Sequence, residues 1–230
     1  MGITSSVGKS VGKMVVPQVG RLAPGVTSRA VLEALARAID GVGPLPPAAR
    51  AAERQLAEQG GNVDRAIHEV IENNVRLAGA QGFATNIGGL LTMAVTLPAN
   101  ITGLAIIQSR MIAGIAHLRG YDLDDPKVRT AVLATLLGSD VVDELVKRRK
   151  IPGAPLALAA APVHDPTLGV LLATEVAQVM LAKVAGKRLA TAAGRRIPVV
   201  GGLVGASADG YTTWRAGRYA DKEFRPRARR

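Results

Sequence analysis

Apolar residues along this chain recur first at helical spacing and then, from the middle onward, almost continuously. Val31, Leu32, Leu35 and Ile39 fall on one face of a helix that Thr27 or Ser28 caps and that runs to Ile39. Gly41 to Pro47 reads as a turn, and Pro46-Pro47 suits the first turn of a second helix ending near Gly60-Gly61. Asn62 then caps a third, with Val63, Ile67, Val70, Ile71 and Val75 on one stripe.

From Leu77 to Ser109 there is no charged residue, and Arg76 and Arg110 bound the run. A membrane-crossing helix needs about 20 mostly apolar residues, so length alone permits a span. Gln81, Asn86, Asn100 and Gln108, paired Gly88-Gly89 and a central Pro98 argue against a simple one. The pattern predicts a shorter segment from Ile87 to Leu97 and a helix from Pro98 to Leu118 that Gly120 ends. Ile101, Leu104, Met111, Ile115 and Leu118 stripe that helix, and Ile106 and Ile107 make its other side apolar. A helix apolar most of the way round is buried, in protein or in lipid.

Asp125 and Pro126 form an N-cap and N1 pair for a helix to Leu137. Gly138-Ser139-Asp140 restarts a helix that ends in Lys147, Arg148, Arg149 and Lys150, cations that complement its dipole or hold an anionic surface. Ile151 to Pro162 is rich in Ala and Pro and reads as a linker. Leu168 to Ala193 is a long Ala-rich helix. Ile197 to Gly205 then opens a last helix carrying Tyr211, Trp214 and Tyr219, and four arginines follow after Phe224.

The expectation is an all-α fold, a compact multi-helix bundle of Ala- and Gly-rich helices. Residues 1–25 form a flexible arm, 26–224 a single helical domain with a linker near 151–165, and 225–230 a basic tail. Composition sharpens this. Aromatics are 3% of the chain, so the core is built from Ala, Val, Leu and Ile, which favours close helix packing. The absence of cysteine excludes a disulfide scaffold and thiolate metal sites. A net charge of +11 calls for an anionic partner: lipid, acidic protein or nucleic acid.

Catalytic signatures do not emerge. Gly8-Lys9-Ser10 is not a phosphate-binding loop, because its first glycine would fall at Ile3. His68, His117 and His164 are far apart, and capping explains the cluster of Asp122, Asp124 and Asp125. Neither a catalytic residue nor a metal or cofactor is assigned. Nucleic acid is the weaker partner, because the cations are scattered or terminal and no recognition motif accompanies them.

Two blocks carry a resemblance. Gly88, Leu97-Pro98, an apolar helix with Ile112, Ile115 and Ala116, Gly120-Tyr121-Asp122, Asp125-Pro126 and Arg129 form the first. Ile197-Pro198-Val199-Val200-Gly201-Gly202 followed by Asp209, Thr213, Arg218 and Ala220 forms the second. Together they resemble the EcsC family over residues 60–224. The family is bacterial and has no established reaction, and its association with a transporter locus implies a place near a membrane transport system.

The function expected is non-enzymatic, peripheral association with an anionic membrane surface on its cytoplasmic side, with lipid or a membrane protein as partner. Leu90, Leu91, Leu97, Ile106, Ile107, Val199, Val200 and Trp214 are the candidate lipid or partner contacts. Lys147, Arg148, Arg149, Lys150, Arg225, Arg227, Arg229 and Arg230 are the candidate anionic-surface contacts. The alternatives are a soluble scaffold with the apolar run wholly buried, or an enzyme whose site assembles only in three dimensions.

Overall fold

The computed structural model describes residues 28–43, 45–87, 93–193 and 198–227, with backbone only in 82–87, 93–102, 183–193 and 198–206. The predicted arm at 1–25, the contacts Leu90 and Leu91, and the tail residues Arg229 and Arg230 lie outside the described residues. Among those described the fold is all-α.

Helix α1 is Ser28–Asp40, and Val31, Leu35 and Ile39 face inward as their spacing requires. Helix α2, Ala48–Glu58, buries Ala48, Ala52 and Leu56 at four-residue intervals. Gly60 and Gly61 then reverse the chain at positive φ. Helix α3 is Val63–Ile87, opened by Asn62, whose side chain accepts the Arg65 amide at 3.0 Å.

Helix α4 is Met93–Leu118, so Pro98 does not start a helix. It falls in the second turn, where its missing N–H removes the bond to the Ala94 carbonyl and its ring crowds that same carbonyl. The first part of the uncharged run is the end of α3, continuous to Ile87, rather than a separate segment beginning there. Met111, Ile112, Ala113, Ile115 and Ala116 are completely buried, which makes the second half of α4 the axis of the bundle. Helices α1, α2 and α3 all pack on α4, as do two later helices, Pro126–Leu137 and Pro198–Glu223.

Helix α5 is Pro126–Leu137 and is buried continuously from Thr130. The Asp125 carboxylate accepts the Lys127 amide at 2.9 Å with Pro126 at N1, as the sequence requires. Helix α6, Ser139–Lys147, follows. The segment read as a linker contains the short α7, Pro155–Ala159, and it packs into the bundle. Ile151, Leu158 and Ala159 are buried in the same core as α4 and α5, so no division of the chain falls there.

Helices α8, Pro166–Ala193, and α9, Pro198–Glu223, complete the fold. The most extensive pairing in the molecule is between α3 and α9. Gly217 permits the close approach, since a Cβ there would meet the Ile71 side chain at 2.8 Å, and Gly210 faces Val75 with room for ordinary contact at 3.7 Å. The same register runs through α3 and α4, where Gly114 faces Val70 and Gly103 faces Gln81.

Candidate functional site

These registers decide which parts of the sequence share an end of the bundle. Helices α3 and α9 are antiparallel, and Ile87 lies as far beyond Val75 as Pro198 lies before Gly210. The C-terminus of α3 and the N-terminus of α9 are therefore level. Helix α4 is antiparallel to α3 and begins at the same end. Four residues join Ala193 to Pro198, so the C-terminus of α8 lies within about 18 Å of that end.

The charge of this end is one-sided. Leu77 to Ser109 contributes none. Between Glu175 and Asp209 the sequence holds five cations and no carboxylate; Lys183, Lys187 and Arg188 stand on α8, and Arg195 and Arg196 lie outside the described residues. These are the candidate residues that sequence reasoning missed. Their signal was the absence of acidic partners over a long stretch, visible only once the helices are paired.

The predicted contacts divide differently from expectation. The backbone of Leu97, Val199 and Val200 stands on helix segments at this end. Ile107 is buried at 8% exposure and Ile106 packs against the core, so both belong to the bundle interior. The cations at 147–150 are elsewhere. Lys150 pairs with Glu175 at 3.0 Å, and helical rise from Glu175 to Ala193 is about 27 Å. Arg225 and Arg227 follow the far end of α9, about 38 Å of helix from Pro198. Leu97, Val199 and Val200 thus stand at the opposite end of the long helices from the cations at 147–150 and from Arg225 and Arg227, and no flat surface set across one end of the bundle meets both.

Lys147, Arg148, Arg149 and Lys150 form the end of α6, beside a cleft of about 480 Å³. Lys127, Arg149, Lys150 and His164 line it, and Ile151, Leu158 and Leu168 supply apolar wall. Arg149 ends the helix with φ +57°, and it is the one non-glycine at positive φ among the described residues. Its amide bonds to the Val146 carbonyl and the Lys150 amide to that of Leu145, both at 2.9 Å. This is the glycine-favouring helix stop, filled by an arginine. Lys127 approaches Asp125 at 3.5 Å, and Arg149 has no ion-pair partner among the described residues. Asp165, the carboxylate in the lining, caps α8 by accepting the Thr167 hydroxyl and amide, which hold its pKa below the ordinary value.

Trp214 is 44% exposed on α9 and stacks on Tyr211, ring centroids 6.2 Å apart. The outward face of α9 continues with Arg215, Arg218 and Lys222. Its carboxylates turn inward or are bound: Asp209 is buried, Asp221 accepts from Arg119 at 2.6 Å, and Glu223 accepts the Leu156 amide.

The Gly120-Tyr121-Asp122 block forms a corner. Gly120 stops α4 at φ +88°, with the Tyr121 amide bonded back to the Ala116 carbonyl. The Tyr121 ring meets Phe224 edge-on at 5.1 Å, and the Arg227 guanidinium lies 4.3 Å from its centre. Arg129 ties the following turn together by donating to the Leu123 carbonyl and to Asp40, at 2.8 and 2.9 Å. Residues 51–228 match the model of the EcsC protein family. The chain belongs to the EcsC protein family. No curated protein and no solved structure matches it.

The EcsC motif residues can now be given roles. Gly120, Tyr121, Asp125, Pro126 and Arg129 build the corner between α4 and α5. In the second block, Thr213 is fully buried and its hydroxyl accepts the Gln108 amide at 3.1 Å. Arg119, beside the motif, is partly buried and bridges two carboxylates, the exposed Asp64 at 2.9 Å and Asp221 at 2.6 Å. Burial lowers its pKa, and the two carboxylates outweigh burial to raise it. Arg227 engages Tyr121, so this cation of the tail serves the EcsC fold. Among the described residues no three His, Asp or Glu side chains gather as metal ligands. Nor is any helix among them long and apolar enough to cross a membrane.

Proposed function

We propose that this EcsC-family chain is a peripheral membrane protein that sets the hairpin end of its bundle onto an anionic bilayer. The observation that carries the reading is the charge of that end: uncharged in α3, α4 and the start of α9, and cationic without a carboxylate in α8 beyond Glu175. The apolar opening of α9, Pro198 to Val204, then meets the acyl boundary, and Lys183, Lys187 and Arg188 meet headgroups. The reading is a binding role and assigns no reaction.

Magnitudes favour a combination of charge and apolar contact. Three cations near an anionic leaflet contribute on the order of 3 kcal/mol, which alone corresponds to binding at about millimolar lipid. Micromolar binding needs about 5 kcal/mol more, which burial of roughly 200 Å² of apolar surface supplies. An apolar block of this size is therefore sufficient without a spanning helix.

Flotation with phosphatidylglycerol–phosphatidylcholine vesicles at low salt tests it. The protein floats, high salt weakens the association, and Lys187→Gln with Arg188→Gln reduces it several-fold, as does Val200→Asp. A wild-type protein that stays at the bottom of the gradient overturns the reading. So does floating that is lost on neutralising 147–150 but unaffected by the hairpin-end substitutions.

A further inference from the structure

The cleft at the end of α6 is a site that the membrane reading does not use. It gathers residues from the start of α5, the end of α6, α7 and the turn into α8, so that segments remote in sequence share one cavity. Its volume, about 480 Å³, lies within the range of small-ligand pockets. One side is apolar: Ile151 and Leu158 are each 3% exposed, with Leu168 beside them. The lining also carries Lys127, Arg149, Lys150 and His164, against one carboxylate, Asp165, which is engaged by the Thr167 amide and hydroxyl.

Arg149 is the telling residue. Elsewhere the described chain meets positive φ with glycine, at 41, 43, 60, 61, 120 and 138. At 149 it keeps a long cationic side chain in the conformation glycine adopts most cheaply, in the lining of the cleft and without an ion-pair partner among the described residues. Strain retained at a cavity points to a use for the side chain. Lys127 and Lys150 do have carboxylate neighbours, Asp125 and Glu175, but these are partly exposed pairs of the kind an incoming anion displaces easily.

We propose that this cleft binds a water-soluble phosphate ester. Arg149 and Lys150 hold the phosphoryl oxygens, Lys127 adds to the positive field, and Ile151, Leu158 and Leu168 receive the apolar body of the ester. A guanidinium fork suits a phosphoryl group, offering two parallel N–H donors. A soluble ligand rather than a bilayer headgroup follows from position. The cleft lies at the first turn of α8 and the proposed membrane end at its last, about 40 Å apart along the helix. That last argument rests on the membrane reading, whereas the cleft chemistry does not.

Calorimetric titration of the full chain at constant ionic strength, with phenyl phosphate, inorganic phosphate and phenol as probes, tests it. Phenyl phosphate binds, inorganic phosphate binds more weakly, and phenol does not bind. Arg149→Gly loses at least ten-fold in phenyl phosphate affinity while melting at a higher temperature than wild type, because glycine relieves the backbone. Its flotation on anionic vesicles is unchanged. Absence of phenyl phosphate binding overturns the proposal, as does equal affinity in Arg149→Gly. If Arg149→Gly abolishes flotation and phenyl phosphate fails to bind, the anion is a lipid headgroup and the soluble-ligand assignment is wrong. Failure of flotation alone, with phenyl phosphate still bound, strikes the membrane reading and leaves the cleft standing.

Discussion

Arg227 donates its backbone amide to the carbonyl of Arg119 at 2.8 Å, and the segment after α9 is thereby fastened to the turn that ends α4. Its guanidinium covers Tyr121 from the same position. Gly120 sits under this clasp, with space for no side chain: a Cβ there would stand 2.8 Å from the Arg227 carbonyl oxygen.

Gly120→Ala therefore carries two costs, positive φ and a clash with backbone. Alanine in the left-handed region loses about 1–2 kcal/mol, and the clash adds to it. Chemical denaturation should show a loss of about 2–4 kcal/mol. Ending the chain after Phe224 removes the clash partner, so Gly120→Ala should cost less in the shortened chain. Equal costs in the two backgrounds would show that the clasp does not form.

Gln108 and Thr213 form a buried hydrogen bond between α4 and α9. Gln108→Leu or Thr213→Val alone strands a buried polar group at about 1–3 kcal/mol. The double substitution removes both partners and should cost clearly less than the two single losses added. A double-mutant cycle by urea unfolding measures the coupling, and additive losses would contradict the bond.

Burial raises the Tyr219 pKa well above its ordinary 10, and the nearby Glu223 and Asp143 charges raise it further. A folded-state pKa raised above the unfolded value means stability is fully present below pH 10 and is lost as pH rises beyond it. Melting temperature should fall steeply above pH 10 in the wild type and less steeply in Tyr219→Phe. Identical alkaline profiles would remove Tyr219 as the cause.

Arg149→Gly should stabilise the chain by about 1 kcal/mol, which is about 2–4 °C in melting temperature at this size. Arg149→Ala keeps the unfavourable backbone and should gain little. Calorimetric melting of both variants separates backbone relief from loss of a charge, since a charge effect would move them together.

Local chemistry made several of these elements readable from sequence. Asp125-Pro126 and Asn62 announce helix starts because a cap depends only on the next three residues. Pro98 misled because proline favours the first turn, whereas α4 had already begun at Met93 and tolerates one missing bond. The stretch at 151–162 looked like a linker because Ala and Pro carry no strong helical period; its burial depends on α5, which ends at Leu137, with the whole of α6 in between. The cleft was illegible for the same reason, as its lining runs from Lys127 to Leu168 across several elements. The one-sided charge of the hairpin end lay openly in the sequence, but only the register of α3 against α9 gives it a location.

That pairing has a consequence for how the protein is made. Helix α3 is complete at Ile87, yet the helix that covers it does not begin until Pro198 and is not finished until Glu223. At about 5–20 residues per second, the ribosome leaves the glycine-facing side of α3 uncovered for on the order of 10 s. Throughout that interval the nascent chain displays an apolar helical face with no intramolecular cover, and a chaperone or a bilayer is free to reach it before α9 does.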